Sequence, residues 1–246
     1  MNSLKRLLWL LLLGSVLACG RHTYTPVAAE KQFYAIDSSY QQGDEKLLST
    51  LKPYRDSLES QVNAVLIYSD VTMTKAQPES ALGNMLADIM LIEVSRKYEA
   101  VDVALLNYGG IRASLPKGEV TLGAMMEIMP FMNYVVILEM DGRLMQQLLD
   151  HWAAKGGTPI SGARFTREDK KAVDVTIGGK VIQPDKRYKL ATIDYLADGG
   201  DGCDFLKNAE MRMRTPELVR DLYVTVFKQM HAQGITLKPV LDERIR

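Results

Sequence analysis

YLADGGDGC (residues 195–203) sets two acids among three glycines at the end of an apolar run. Glycine lets a backbone turn sharply and come close to a ligand. An acid fixed in such a loop is an acceptor for which a metal ion, a phosphate-bearing ligand or a sugar could supply the partner. YKLATIDYL (188–196) reads as the strand that delivers the loop. Asp198, Asp201 and Asp204 stand three apart, a spacing that invites comparison with a calcium loop. An EF-hand, however, needs ligands at alternate positions and a closing glutamate, and this stretch has neither.

Strand and helix signals alternate on either side. NAVLIYS (63–69), VDVALLN (101–107) and YVVILEM (134–140) read as strands, the last closed by Asp141-Gly142. SALGNMLADIMLIEVSRKY (80–98) spaces Leu82, Met85, Leu86, Ile89 and Ile92 as one helical face. TLGAMMEIM (121–129) is helical with Thr121 as N-cap, and RLMQQLLDHWA (143–153) lines up Leu144, Leu148 and Trp152. VDVTIGGKVIQ (173–183) reads as a hairpin turned at Gly178-Gly179. Thr215-Pro216 predicts the start of a last helix that Gly234 ends, and Leu47–Leu58 is helix-compatible. Residues 60–246 show no internal repeat and no low-complexity linker, so they read as one mixed domain.

The chain has 246 residues, 47% hydrophobic and 24% charged, values ordinary for a folded protein with a sizeable core. Its first twenty residues differ from the rest. Lys5 and Arg6 precede the apolar run Leu7–Leu13, and Val16-Leu17-Ala18 precede Cys19. This is the layout of an export signal, with an apolar run too short to span a bilayer. A cysteine after Leu-Ala resembles the bacterial lipobox, which predicts a signal peptide over 1–18, lipidation of Cys19, a tether over 19–34 and a lipid-anchored place in the cell envelope. The alternative is a cleaved signal with an incidental cysteine. Cleavage removes two bases and no acid from a balanced 30 and 30, and no basic block follows. Nucleic-acid binding is therefore not expected. Cys203 is the other cysteine, and a buried apolar role fits it.

A second glycine cluster lies in LLNYGGIRASLPKGEVT (105–121), where Asn107 ends a strand, Gly109 and Gly110 follow, and Arg112 stands beyond. Exposed amides beside an arginine suit an anion or a polar ligand, although a plain turn with a surface arginine reads equally well. No Gly-Lys-Ser/Thr follows, so this is not a P-loop, and the third glycine of a dinucleotide fingerprint is missing.

Taken in order, ESALGNMLAD (79–88), NYGGIR (107–112), MPF (129–131), GGTPISGARFT (156–166), YLADGGDGC (195–203) and the terminal LDERIR resemble the C-terminal, substrate-recognition domain of the 5′-nucleotidase family. The likeness covers roughly residues 35–246. It implies an α+β fold layered α/β/β/α with mixed sheets, and recognition of a nucleotide or nucleoside. Phe131 and Tyr195 would clamp the base, and Asp201 would accept from the ribose hydroxyls. Asn107, Gly109 and Gly110 would border base and sugar, while Arg112 would face the ribose–phosphate side. Without the resemblance, Phe131 after Pro130 could be core, Tyr195 an ordinary half-buried aromatic, and His22, His151 and His231 surface or packing residues.

The family's phosphoester hydrolysis uses a two-metal centre on an N-terminal metallophosphoesterase domain, whose ligands three scattered histidines do not supply. No cofactor is expected on this chain, with divalent metals only on a partner metallophosphoesterase. Several positions depart from the family pattern. Pro78 stands where an arginine precedes Glu79, Ala81 replaces an asparagine, and Tyr108 replaces a glycine and is expected to crowd its loop. Cys203 stands at the last aromatic of the usual FLANGGDGF. Two readings follow. One is the recognition half of a split 5′-nucleotidase; the other is a non-catalytic nucleoside- or nucleotide-binding lipoprotein.

Overall fold

Local capping chemistry fixes where several helices begin. In this computed structural model, which describes residue 33 and residues 44–246, Ser80 caps helix α2 (Ala81–Lys97) by accepting from Gly83 N at 3.0 Å. Thr121 caps α3 (Leu122–Ile128) through Ala124 N, and Asp141 caps α4 (Gly142–Ala154) through Leu144 N. The signal segment 1–18, Cys19 and all but one residue of the 19–34 tether lie outside the described residues. The chain divides into Met1–Thr50 and Leu51–Arg246. Of the first unit, residue 33 and residues 44–50 are described. There Asp44 accepts from Lys46 N and Leu47 N at the start of helix α1 (Glu45–Val62), none of whose residues is buried.

The second unit is an α+β arrangement with mixed sheets. The largest sheet runs β10–β4–β9–β2–β5: Met211–Leu218, Tyr134–Asp141, Arg187–Ile193, Val103–Leu105 and Ile160–Ser161. Its β9–β2 pair is parallel and the other neighbours antiparallel. A second mixed sheet sets β1 (Val65–Ser69) between β11 (Thr236–Leu237), parallel, and β3 (Gly118–Thr121), antiparallel. The third is the antiparallel set β6–β7–β8: Ala163–Glu168, Lys171–Ile177 and Lys180–Val181, the last two joined by the expected turn at Gly178-Gly179. Leu82, Leu86 and Met90 of α2, Val135–Leu138 of β4, and Tyr223 and Phe227 of α6 (Val219–Ala232) are buried in one apolar cluster.

Some sequence expectations need correction. Thr215-Pro216 does not open a helix; both residues lie in β10, at the edge of the five-stranded sheet. Pro216 falls in the irregular stretch between Arg214 and Leu218, where a missing N–H is tolerated. Thr215 donates to Val135 O and accepts from Glu217 N, so its hydroxyl serves the strand rather than capping α6. The strand expected over 188–196 ends at Ile193. Tyr195 instead sits on a single helical turn, α5 (Asp194–Ala197). On α2 the buried stripe runs through Leu82, Leu86, Met90 and Val94, while Ile92 is 61% exposed.

Candidate functional site

The two glycine loops meet because their strands are neighbours in one sheet. Asn107 follows β2, and Tyr195 and Asp201 follow its parallel partner β9. Thr192 on β9 donates to Leu105 O at 2.9 Å, and Leu106 N donates to Pro159 O at 3.1 Å, so the end of β2 is held from both sides. Beyond these ends lies a cleft of about 320 Å³ lined by Asn107, Gly109, Arg112, Phe131, Asn133, Tyr195 and Asp201. Every site residue expected on this domain except Gly110 is in that lining; Cys19 lies outside the described residues.

Gly110 is buried behind the wall. A Cβ there would lie 2.5 Å from Asn107 Oδ1, so only glycine leaves the Asn107 amide its place. Asn107 uses that place to donate from Nδ2 to Asp201 Oδ2 at 2.8 Å. Arg112 is exposed and folds one guanidinium N–H back to Gly109 O at 3.3 Å. Its remaining donors are available to a ligand. Tyr108 is not among the residues that line the cleft. Lys75 Nζ lies 4.5 Å from its ring centroid and donates to Ile111 O at 2.7 Å.

Phe131 is 50% exposed and Tyr195 45%, so neither ring is core. Asp201 is left-handed, with φ 53°, and lies at the centre of the glycine loop. Its Oδ1 accepts from the Tyr195 hydroxyl at 3.1 Å, and its N–H donates to the same hydroxyl at 3.2 Å. Its carbonyl oxygen lies 3.0 Å from His151 Nε2. A carbonyl only accepts, so this nitrogen carries the proton. His151 packs edge-on against Trp152 and Phe205, and burial pushes its pKa down from 6.5; the bond to Asp201 O opposes that shift, Lys155 adds to it and the Asp201 charge again opposes it.

The three aspartates of the loop part company. Asp198 pairs with Arg212 at 2.8 Å, which holds its carboxyl below the usual range, and Asp204 pairs with Lys207 at 2.6 Å. Among the described residues, no three His, Cys, Asp or Glu side chains converge as a metal site would require. Cys203 is fully buried beneath the loop and its thiol is pushed up to about 11, chiefly by burial.

Sequence reasoning missed two residues of this region. Asn133 lines the cleft two positions after Phe131, the spacing that an extended segment turns to one side. His151 gives no such signal, because it reaches the loop from α4, fifty residues earlier in the chain.

The remaining motif residues gather elsewhere. Arg244 makes a two-point contact with Asp88 at 2.6 and 2.8 Å and reaches Asp242 at 2.7 Å. Ser161 donates to Asp88, and Glu79 accepts from Asp242 N and Arg244 N. ESALGNMLAD, the Ser161-Gly162 pair and the terminal LDERIR thus form a clasp for the C-terminus.

A family model described as 5′-nucleotidase, C-terminal domain, matches residues 60–208, more than half of the chain. The trifunctional nucleotide phosphoesterase protein YfkN of Bacillus subtilis is 27% identical over 217 residues, 80% of this chain and 15% of that protein. A 5′-nucleotidase of Vibrio parahaemolyticus is 27% identical over 173 residues, 65% of this chain and 29% of that protein. The crystal structure of a 5′-nucleotidase precursor from Thermus thermophilus superposes with a TM-score of 0.70 at 26% identity, covering 82% of this chain and 42% of that one. The chain spans less than half the length of each of these relatives.

Proposed function

We propose that this chain, which belongs to the family of 5′-nucleotidase C-terminal domains, is the nucleotide- or nucleoside-recognising half of a phosphomonoester hydrolase of nucleotide catabolism. The base would stack between Phe131 and Tyr195, an arrangement worth about 1–3 kcal/mol per base where it has been measured. Asp201 would accept from the two ribose hydroxyls, and Asn107 would hold the acid in place. Arg112 would meet the phosphate side. The observation that carries this reading is the convergence of two half-exposed rings and one braced carboxylate on a single cleft.

Hydrolysis would then need a metallophosphoesterase carried on a separate polypeptide, on which the divalent metals would sit. Lipidation at Cys19 would keep the recognition half at a membrane of the bacterial envelope. Pro78, where the family pattern has arginine, favours a second reading in which the chain binds nucleosides without taking part in catalysis. Calorimetric titration with AMP and adenosine separates the two. The split-enzyme reading expects AMP to bind more tightly through Arg112, by about tenfold for one charge-assisted contact. It also expects no phosphate release from AMP by the purified chain with manganese. Equal affinities support the nucleoside binder, and turnover by the chain alone overturns the division of labour.

A further inference from the structure

The Tyr195 hydroxyl is fully used. An amide N–H can only donate and a carboxylate can only accept. The hydroxyl therefore accepts from Asp201 N at 3.2 Å and gives its proton to Asp201 Oδ1 at 3.1 Å. One side chain bridges the backbone and the carboxylate of the same residue. Asn107 Nδ2 occupies one acceptor direction of the other oxygen, Oδ2, at 2.8 Å. With one donor on each oxygen, the plane of the carboxylate is set, and each oxygen keeps a free lone-pair direction.

The ring itself is fixed. A Cβ at Gly200 would lie 2.5 Å from both Cε1 and Cζ of Tyr195, so the ring lies against glycine backbone. Asp201 is left-handed, a conformation that a residue with a Cβ adopts at a cost of about 1 kcal/mol or more. The hydroxyl helps to hold it there.

We propose that the Tyr195 hydroxyl is a positioning group that couples base stacking to ribose capture, so that the ring meeting the base also aims the acid meeting the diol. This rests on the nucleoside reading given above and deepens it, because it makes Tyr195 a determinant of selectivity for ribose. Pre-setting the carboxylate removes part of the ordering cost that a ligand would otherwise meet. Phenylalanine at this position keeps the ring and loses the brace.

The test is a titration of the parent chain, Tyr195→Phe and Asp201→Asn with adenosine and with 2′,3′-dideoxyadenosine, after thermal melts show that all three are folded. The parent is expected to prefer adenosine by about tenfold or more, as two hydrogen bonds to a charged acceptor imply. Tyr195→Phe is expected to bind the dideoxynucleoside as the parent does and to lose about fivefold for adenosine. Asp201→Asn should lose most of the preference. If Tyr195→Phe keeps the parent's preference, binds adenosine more tightly, or weakens both ligands equally, the positioning role is wrong while the site stands. If the parent binds neither ligand, or does not distinguish them, the site reading and this inference fall together.

Discussion

Asp201 engages its N–H, its carbonyl and both carboxylate oxygens within the chain, and it does so at a φ of 53°. His151 donates to the carbonyl, and its burial makes the loop sensitive to acid. Its pKa in the folded chain is pushed below 6.5, first by burial. The unfolded chain therefore takes up the proton first as pH falls. The stability that neutral His151 contributes is whole above pH 6.5 and is lost as pH drops through the depressed value. His151→Gln keeps an N–H for the carbonyl and removes the titration. Thermal melts between pH 7.5 and about 5 should show the parent losing more stability than this variant. Parallel slopes would contradict the assignment. In the sequence, glycine neighbours drew notice to Asp201 and Asn107, and only the family resemblance made Tyr195 a site residue. Nothing in the sequence showed that the tyrosine hydroxyl, the asparagine amide and a distant histidine all converge on that one acid.

At the scale of elements, the motifs divide between two tasks. NYGGIR, MPF and YLADGGDGC line the cleft, whereas ESALGNMLAD, the Ser161-Gly162 pair and LDERIR hold the C-terminus. The Arg244 side chain is 9% exposed and that of Asp88 37%. Asp88→Ala leaves the guanidinium with Asp242 as its one carboxylate and with the Ile160 carbonyl. Removing one partner of a buried pair costs about 3–5 kcal/mol, and the partial exposure of Asp88 points to the lower end. A Tm lower by about 10 °C follows for a chain of this length, with adenosine affinity below the transition unchanged. An unaltered Tm would show that the clasp contributes nothing. Strands β1 and β4, helices α2 to α4 and the hairpin turn at Gly178-Gly179 were legible from periodicity and capping residues. The start of α6 was not, because Thr-Pro has the same local signature at a helix N-terminus and at an irregular sheet edge, and only pairing with β4 decides between them. Two-residue strands such as β5 and β11 carry too few side chains to show any period.

For the whole molecule, order of motifs carried more than any single motif. The fold follows from six short stretches in sequence, none of which is decisive alone. Sheet order then explains the site: β2 and β9 are far apart in the chain but parallel neighbours, so their C-terminal ends open into the same cleft. A crevice at the carboxyl ends of adjacent parallel strands is a common place for a ligand in an α/β arrangement. The recognition proposed for this chain has a direct test: a crystal structure grown with adenosine. The account predicts a base between the Phe131 and Tyr195 rings, with both ribose hydroxyls on the Asp201 carboxylate. Adenosine bound elsewhere, or in the cleft with its ribose turned away from Asp201, would contradict it.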